Sequence, residues 1–401
     1  MPLSDSLHVR PGEGVRSALE AHRGHQLLFT TNPGLEDIAI DEFARRVAAA
    51  APAAAMPIEA QPRPFRLAGH VWVRAPDGLD ATAIARQMRS IHHVLCPLHG
   101  FALGNEPLAQ IHAELLRLPI PALATAASFR VTTRRRGRHG FTSIDVQRAA
   151  GAALVAHYGR PVDLEHFALH VRVDVIDDFC LVSQQLTEAG LGRRFARAYR
   201  PRAALKAPVA YAMLHLAGLH TGGGALLDPF CGSGTILVEA AALNPELELF
   251  GSDLFAEAVA GAQANLAELG LAERVHIRQA DARALGQHYP EGRFRAIVTN
   301  PPYGVHLGQR LDFRRFYYQF LVEAGKVLMP GGLLVMLAWK HGDLVRARRQ
   351  HGGFAPRQVR VVETGDLYPR IFVLERRAAA PAAPSTATPD SPTIPRPGDP
   401  A

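Results

Sequence analysis

Lysine is nearly missing from this chain. Among 401 residues it occurs only at positions 206, 326 and 340, so arginine carries almost all the positive charge. Genome composition alone can produce such a bias. Arginine also forks onto phosphates and stacks on bases, so the bias suits a polyanionic partner equally well. Cysteine is scarce too. Cys96, Cys180 and Cys231 lie far apart, without metal-ligand spacing and without the even count of a disulfide framework, which fits a reducing cytoplasm. The 19 histidines form no ligand pattern, and no metal is expected. Long apolar runs are also lacking. The strongest, near residues 333–339, is far short of a membrane span, and the first fourteen residues hold no apolar signal region. A membrane partner is therefore not expected.

What remains is an ordinary globular composition, 48% apolar and 20% charged, in a chain long enough for two or three domains. The net charge of +7 and pI near 9.6 speak to association with polyanions and not to fold. Residues 378–401 are Ala, Pro, Ser and Thr with almost no large apolar side chains, which predicts a disordered tail. Residues 48–57 read as an Ala/Pro loop extension, and no internal repeat is visible.

From residue 225 onward, strands and helices alternate. Short apolar runs end at Asp228, Asp253, Asp281 and Asn300, with helix-like segments between them; residues 357–365 and 370–377 suit a closing antiparallel pair. This texture predicts a doubly wound α/β sheet with a mostly parallel core, whose ligands bind beyond the carboxyl ends of the strands. Four polar residues at four strand ends mark that face. The N-terminal half mixes strands with fewer helices (around 36–47, 81–89 and 144–158), as expected of one or two small α+β units.

Residues 228–235, DPFCGSGT, join a strand to a helix. Gly232 and Gly234 permit a sharp turn and a close ligand approach, and the helix beginning near Thr235 aims its positive end at the gap. Asp253, ending the next strand, is placed to accept ribose hydroxyls. A nicotinamide dinucleotide would fit almost as well. Two details lean away from it: the third glycine of G-x-G-x-x-G is missing, and Asp228 would repel a pyrophosphate while welcoming the cationic amino-acid end of S-adenosylmethionine. Asp281 could meet an adenine amine or simply cap a helix.

Residues 300–304, NPPYG, are the most informative string. An exocyclic base amine is a poor nucleophile because its lone pair is delocalised into the ring. The Asn300 side-chain oxygen and the Pro301 carbonyl can each accept one amine hydrogen and free that lone pair. Consecutive prolines fix the aim of the carbonyl, and Tyr303 offers a ring for a flipped base to stack on. A Pro-Pro turn after a strand is the plain alternative. No cysteine lies beside this loop, which disfavours covalent methylation of cytosine C5.

DPFCGSGT together with NPPYG resembles the class I methyltransferases that modify exocyclic amino groups. Residues 191–218 resemble the bridge, residues 27–43 the ferredoxin-like unit and residues 128–154 the THUMP core of THUMP-containing guanine N2-methyltransferases. The resemblance covers roughly residues 25–377. It implies a Rossmann-like class I methyltransferase domain, with a seven-stranded mostly parallel sheet, preceded by small α+β ferredoxin-like and THUMP units. The implied layout is an N-terminal extension (1–24), a ferredoxin-like unit (25–100), an RNA-binding THUMP unit (101–190), a bridge (191–215), the methyltransferase domain (216–377) and the tail (378–401). It assigns the target amine to Asn300, Pro301 and Tyr303, the methionine end of S-adenosylmethionine to Asp228, Gly232, Gly234 and Thr235, and the ribose to Asp253. The chain has no room for the second methyltransferase domain that some relatives acting on large-subunit rRNA carry.

Two basic runs free of acids flank the end of the RNA-binding unit and the bridge to the methyltransferase domain. The first, 130–138, contains Arg134, Arg135, Arg136 and Arg138; the second, 193–206, contains Arg193, Arg194 and Arg197. Each is either a solvated face or a phosphate grip. The expected activity is methyl transfer to guanosine N2 in structured RNA, rRNA slightly ahead of tRNA. Alternatives are amino methylation of another base or of DNA, and an RNA-binding protein with a vestigial donor site.

Overall fold

The computed structural model describes residues 26–51, 58–76, 78–195, 198–201, 204–302, 312–365 and 367–378. Expectations for the N-terminal extension, most of the Ala/Pro stretch, Arg197, Tyr303 and the tail beyond 378 lie outside these residues. The chain folds around two sheets.

The first sheet is built from β1 (Gln26–Thr30), β2 (Glu59–Pro62), β3 (His70–Arg74), β4 (His93–Ala102), β5 (Phe129–Thr132), β6 (Arg135–Arg136), β7 (Leu169–Ile176) and β8 (Phe179–Gln185). Its order is β2-β3-β1-β4-β8-β7-β5, with β6 also paired to β7. Helices α1 (Glu36–Ala50) and α2 (Ala81–Arg86) cover one half; α3 (Pro107–Arg117), α4 (Pro121–Thr125) and α5 (Ser143–Tyr158) cover the other. Thr142 and Asp145 cap α5 reciprocally, and Gly159 closes it in the left-handed conformation. The expected border at 100/101 falls inside β4. That strand pairs with β1 on one side and with β8 on the other, so the two anticipated units share one continuous sheet. Leu28, Trp72, Leu95, Phe179 and Leu181 form a buried cluster across this seam. Pro97 interrupts the alternation of β4 and disguises it in the sequence; the register with β8 shifts between Pro97 and His99, the kind of irregularity that accommodates a proline inside a sheet.

The second sheet contains β9 (Gly224–Asp228), β10 (Leu247–Asp253), β11 (Val275–Gln279), β12 (Phe294–Thr299), β13 (Leu328–Ala338), β14 (Phe354–Val361) and β15 (Arg370–Arg376). Its order is β11-β10-β9-β12-β13-β15-β14, parallel except for the closing β13/β15 and β15/β14 pairs. Successive side chains point to opposite faces. Leu226, Val298 and Val335 meet α6 (Ala207–Leu216), α7 (Thr235–Leu243) and α8 (Ala256–Glu268), while Leu227, Ile297 and Leu334 meet α9 (Phe313–Val327) and α10 (His341–His351). Helices on both faces explain why these strands read as unbroken apolar runs.

The halves dock tightly. Leu35 and Ile38 of the N-terminal half are buried in the same core as Val362 and α6. Gly34 lies so close to the second sheet that a Cβ there would stand 2.1 Å from the Val361 carbonyl oxygen. Arg360 pairs with Asp37 at 2.7 Å. Elsewhere in the chain, the fully buried Glu239 of α7 accepts Arg89 at 2.8 Å and Arg194 at 3.0 Å. Both guanidinium groups also lie over the Phe195 ring.

Candidate active site and nucleic-acid interface

Residues 228–234 turn from β9 into α7 as expected. Gly232 and Gly234 have φ of 50° and 81°, where a side chain would strain the backbone. A Cβ on Gly232 would meet nothing within 4 Å, so the turn opens onto space that a ligand could fill. The Gly232 N–H donates to Asp253 Oδ2 at 3.0 Å, and the Phe255 N–H donates to Oδ1 at 3.1 Å. Asp253 therefore anchors the turn to β10. A carboxylate has about four acceptor positions, and two are used. Immediately after it, Leu254 and Phe255 are large apolar side chains left exposed (47% and 57%), a surface the sequence reading did not single out.

Asp228 is only 1% exposed and does not present its carboxylate to a ligand as anticipated. The Thr299 hydroxyl donates to its Oδ1 at 2.7 Å, and the Phe230 N–H donates at 3.2 Å. The Thr299 bond ties β9 to the end of β12, directly before Asn300. Burial pushes its pKa up to about 7, opposed by these two hydrogen bonds and helped by the Asp253 charge. Thr235 is buried as well, its hydroxyl 3.3 Å from that of Ser233. The Phe230 ring packs on Phe316 and Phe320 of α9, anchoring the turn from its other side. Thr299 and Phe230 were missed because nothing local marks them; both act across 70 residues or more.

Asp281 takes its plainer alternative. It caps a short 3-10 turn by accepting the Arg283 N–H at 2.8 Å, and it pairs with the same residue's guanidinium at 2.6 Å, which lowers its pKa. Both oxygens accept from Arg283 in this structure. Pro301 is buried and Asn300 half-buried at the end of β12, on the same strand-end face as the donor turn.

The basic runs are sorted by their partners. Arg130 and Arg134 from the first run, with Arg193, Arg200 and Lys206 from the second, line one cleft of about 1090 Å³ between the halves. Arg172 joins them, although its position inside β7 hid it from the sequence reading; it is held to Asp174 at 2.7 Å. Burial, then the Arg134 charge, lowers the Lys206 pKa. His92, His93 and His170 also face this cleft, with pKa values brought down by burial and nearby cations to about 3, 4 and 4. Arg135 instead contacts His139, Arg136 pairs with Glu363 at 3.3 Å, and Arg138 is exposed outside the cleft. Arg194, expected to bind RNA, spends its donors on Glu239 and on the Leu191 and Arg89 carbonyls. It is a joint between domains.

Residues 107–184 match the THUMP domain family and residues 194–370 match the RMKL-like methyltransferase domain family. The chain is 39% identical over 349 residues to a tRNA (guanine(6)-N2)-methyltransferase of Thermus thermophilus, covering 86% of this chain and 98% of that one. It is 30% identical over 212 residues to the human U6 snRNA (guanine-N(2))-methyltransferase, covering 52% of this chain and 40% of that one. Among solved structures, TrmN from Thermus thermophilus superposes with a TM-score of 0.68 at 36% identity, covering 88% of this chain and all of that one. The preference for rRNA finds no support among these relatives, which are named for tRNA and U6 snRNA.

Proposed function

The chain belongs to the THUMP-containing family of S-adenosylmethionine-dependent guanine-N2 RNA methyltransferases, and from that premise we propose that its substrate is a transfer RNA. The observation that carries an RNA substrate is the cleft, where cations from the first sheet and from the bridge converge on one path; the relationship to a tRNA enzyme supports the choice of tRNA. The relationship to the Thermus enzyme spans nearly that protein's whole length and favours guanosine 6 as the target.

S-adenosylmethionine supplies the methyl group. In this reading the open turn at Gly232 and Gly234 seats its methionine end under the N-terminus of α7. Asp253 accepts the ribose hydroxyls with its remaining lone pairs, and Leu254 and Phe255 offer the adenine an apolar face. Asn300 and Pro301 would accept the two hydrogens of the target amine and localise its lone pair; as the nitrogen–methyl bond forms, the methyl–sulfur bond breaks, S-adenosylhomocysteine leaves, and one amine hydrogen is lost to solvent as a proton. The Asp228–Thr299 bond keeps the donor and acceptor loops in fixed relation, so the reacting atoms meet aligned.

Mass spectrometry of nucleosides from a deletion strain tests the assignment. The expected result is loss of N2-methylguanosine from the tRNA fraction with the rRNA fraction unchanged. Loss confined to rRNA overturns it. In vitro, a tRNA transcript with guanosine 6 replaced by adenosine should no longer accept methyl groups.

A further inference from the structure

The bridge touches the donor turn as well as the RNA cleft. Tyr199 sits on α8 where Gly261 leaves room for it; a Cβ on Gly261 would stand 2.2 Å from the first ring carbon, Cγ. The ring occupies the space a Cβ would take, so this seat exists only because position 261 is glycine. The backbone of Tyr199 is fixed too. Its N–H donates to Asn265 Oδ1 at 2.9 Å, and Asn265 Nδ2 donates back to the Tyr199 carbonyl at 2.9 Å. The same Nδ2 donates to the carbonyl of Ser233, inside the donor turn, at 3.0 Å. Asn265 is 1% exposed, so this amide is a buried rivet between bridge and turn. The turn abuts the helix at the adjoining position: a Cβ on Gly234 would lie 3.8 Å from the Ala262 methyl. Burial raises the Tyr199 hydroxyl pKa, as do the charges of Glu257 and Asp253, the second being the acid assigned to the ribose. The next residue, Arg200, lines the basic cleft.

We propose that Tyr199 is part of the donor site: its ring walls the S-adenosylmethionine pocket, and through the peptide bond to Arg200 the bridge couples donor binding to RNA binding. The inference rests on the donor assignment of the glycine turn. An RNA that draws Arg200 into the cleft settles Tyr199 against the donor, and a bound donor holds the segment that presents Arg200. Such coupling is reciprocal.

The test is calorimetry of S-adenosylmethionine binding to the full chain, with and without bulk tRNA, in four variants. Tyr199→Phe keeps the ring and should bind within about twofold of the parent, with RNA still tightening the donor. Tyr199→Ala should weaken the donor about tenfold, the loss of one aromatic face, and abolish the tightening. Gly261→Ala keeps the tyrosine but removes its seat, and should reproduce the Tyr199→Ala loss although alanine is the better helix former. In steady-state kinetics the defect should appear in the Michaelis constant for the donor with turnover at saturation within about twofold, which a general loss of structure would not give. The fourth variant, Asp253→Ala, separates the readings. Donor affinity weakened by Asp253→Ala but untouched by Tyr199→Ala overturns this inference alone. Donor affinity untouched by both overturns the donor assignment with it.

Discussion

Arg193 and Arg194 are neighbours in the chain and opposites in the fold. Arg194 and Arg89 converge on one buried carboxylate, Glu239, with the Phe195 ring beside them. Arg193 shares a cleft wall with Arg130, Arg134, Arg200 and Lys206. Among the described lining residues the only carboxylates are Glu188 and Glu363, and Glu363 is already paired with Arg136. The first set holds its counter-charge inside the protein. The second leaves like charges facing one another, a cost that a polyanion would relieve. A charge run read along the sequence merges these two roles, and only the partner at the end of each side chain separates them.

The comparison is broken most sharply at Glu239. Glu239→Ala would leave two guanidinium groups partly buried without their carboxylate, and a loss of about 3–5 kcal/mol is expected in urea unfolding. If stability barely changes, the junction is not the joint described here. The acceptor loop should lose comparable free energy in a different quantity. Asn300→Ala is expected to lower the single-turnover rate with saturating RNA by about 10²–10³, with donor and RNA affinities largely kept. Cleft substitutions should act the other way round. Arg134→Ala with Arg193→Ala should leave unfolding free energy unchanged or slightly raised while RNA binding weakens and its salt dependence flattens by roughly one slope unit per lost phosphate contact. An unchanged salt slope would make the cleft an ordinary solvated surface.

The remaining effect expected is a pH dependence. His92, His93 and His170 have folded pKa values of about 3, 4 and 4, below the ordinary 6.5. The unfolded chain therefore binds more protons between these values. The free protein should keep its full stability above pH 6.5 and lose it progressively as pH falls toward 4, each histidine contributing at most about 1.4 kcal/mol per pH unit. Added tRNA should shrink that loss, because phosphates in the cleft favour the protonated rings. A loss that tRNA does not alter would separate the histidines from the RNA path.

The glycine turn and the Asn-Pro-Pro segment are contiguous strings whose expected chemistry depends on residue type and spacing, and the strand ends that carry them fell where the alternation put them. The parts that connect them were not legible. Thr299 reaches Asp228 across 71 positions, Arg194 reaches Glu239 across 45, and Asn265 reaches Tyr199 across 66. Such bonds leave no local period. The cleft was half legible: both arginine runs were noticed, but Arg172 was hidden in an apolar strand and Arg194 was given the wrong partner. Strand β4 escaped because proline and bulge disguise its alternation.

That strand also decides how this architecture can be taken apart. β4 fills the middle of an eight-stranded sheet, so a cut between the ferredoxin-like and THUMP portions would bare two pairing edges at once, on β1 and β4 or on β4 and β8. Exposed edges seek other strands, and fragments divided there would stick to one another before they could be useful. Past Gln185, where the last strand of this sheet has ended, a cut would bare the docked side-chain interface between the halves but no strand edge. Recombination, whether by evolution or at the bench, must therefore trade the RNA-grasping half as one indivisible board.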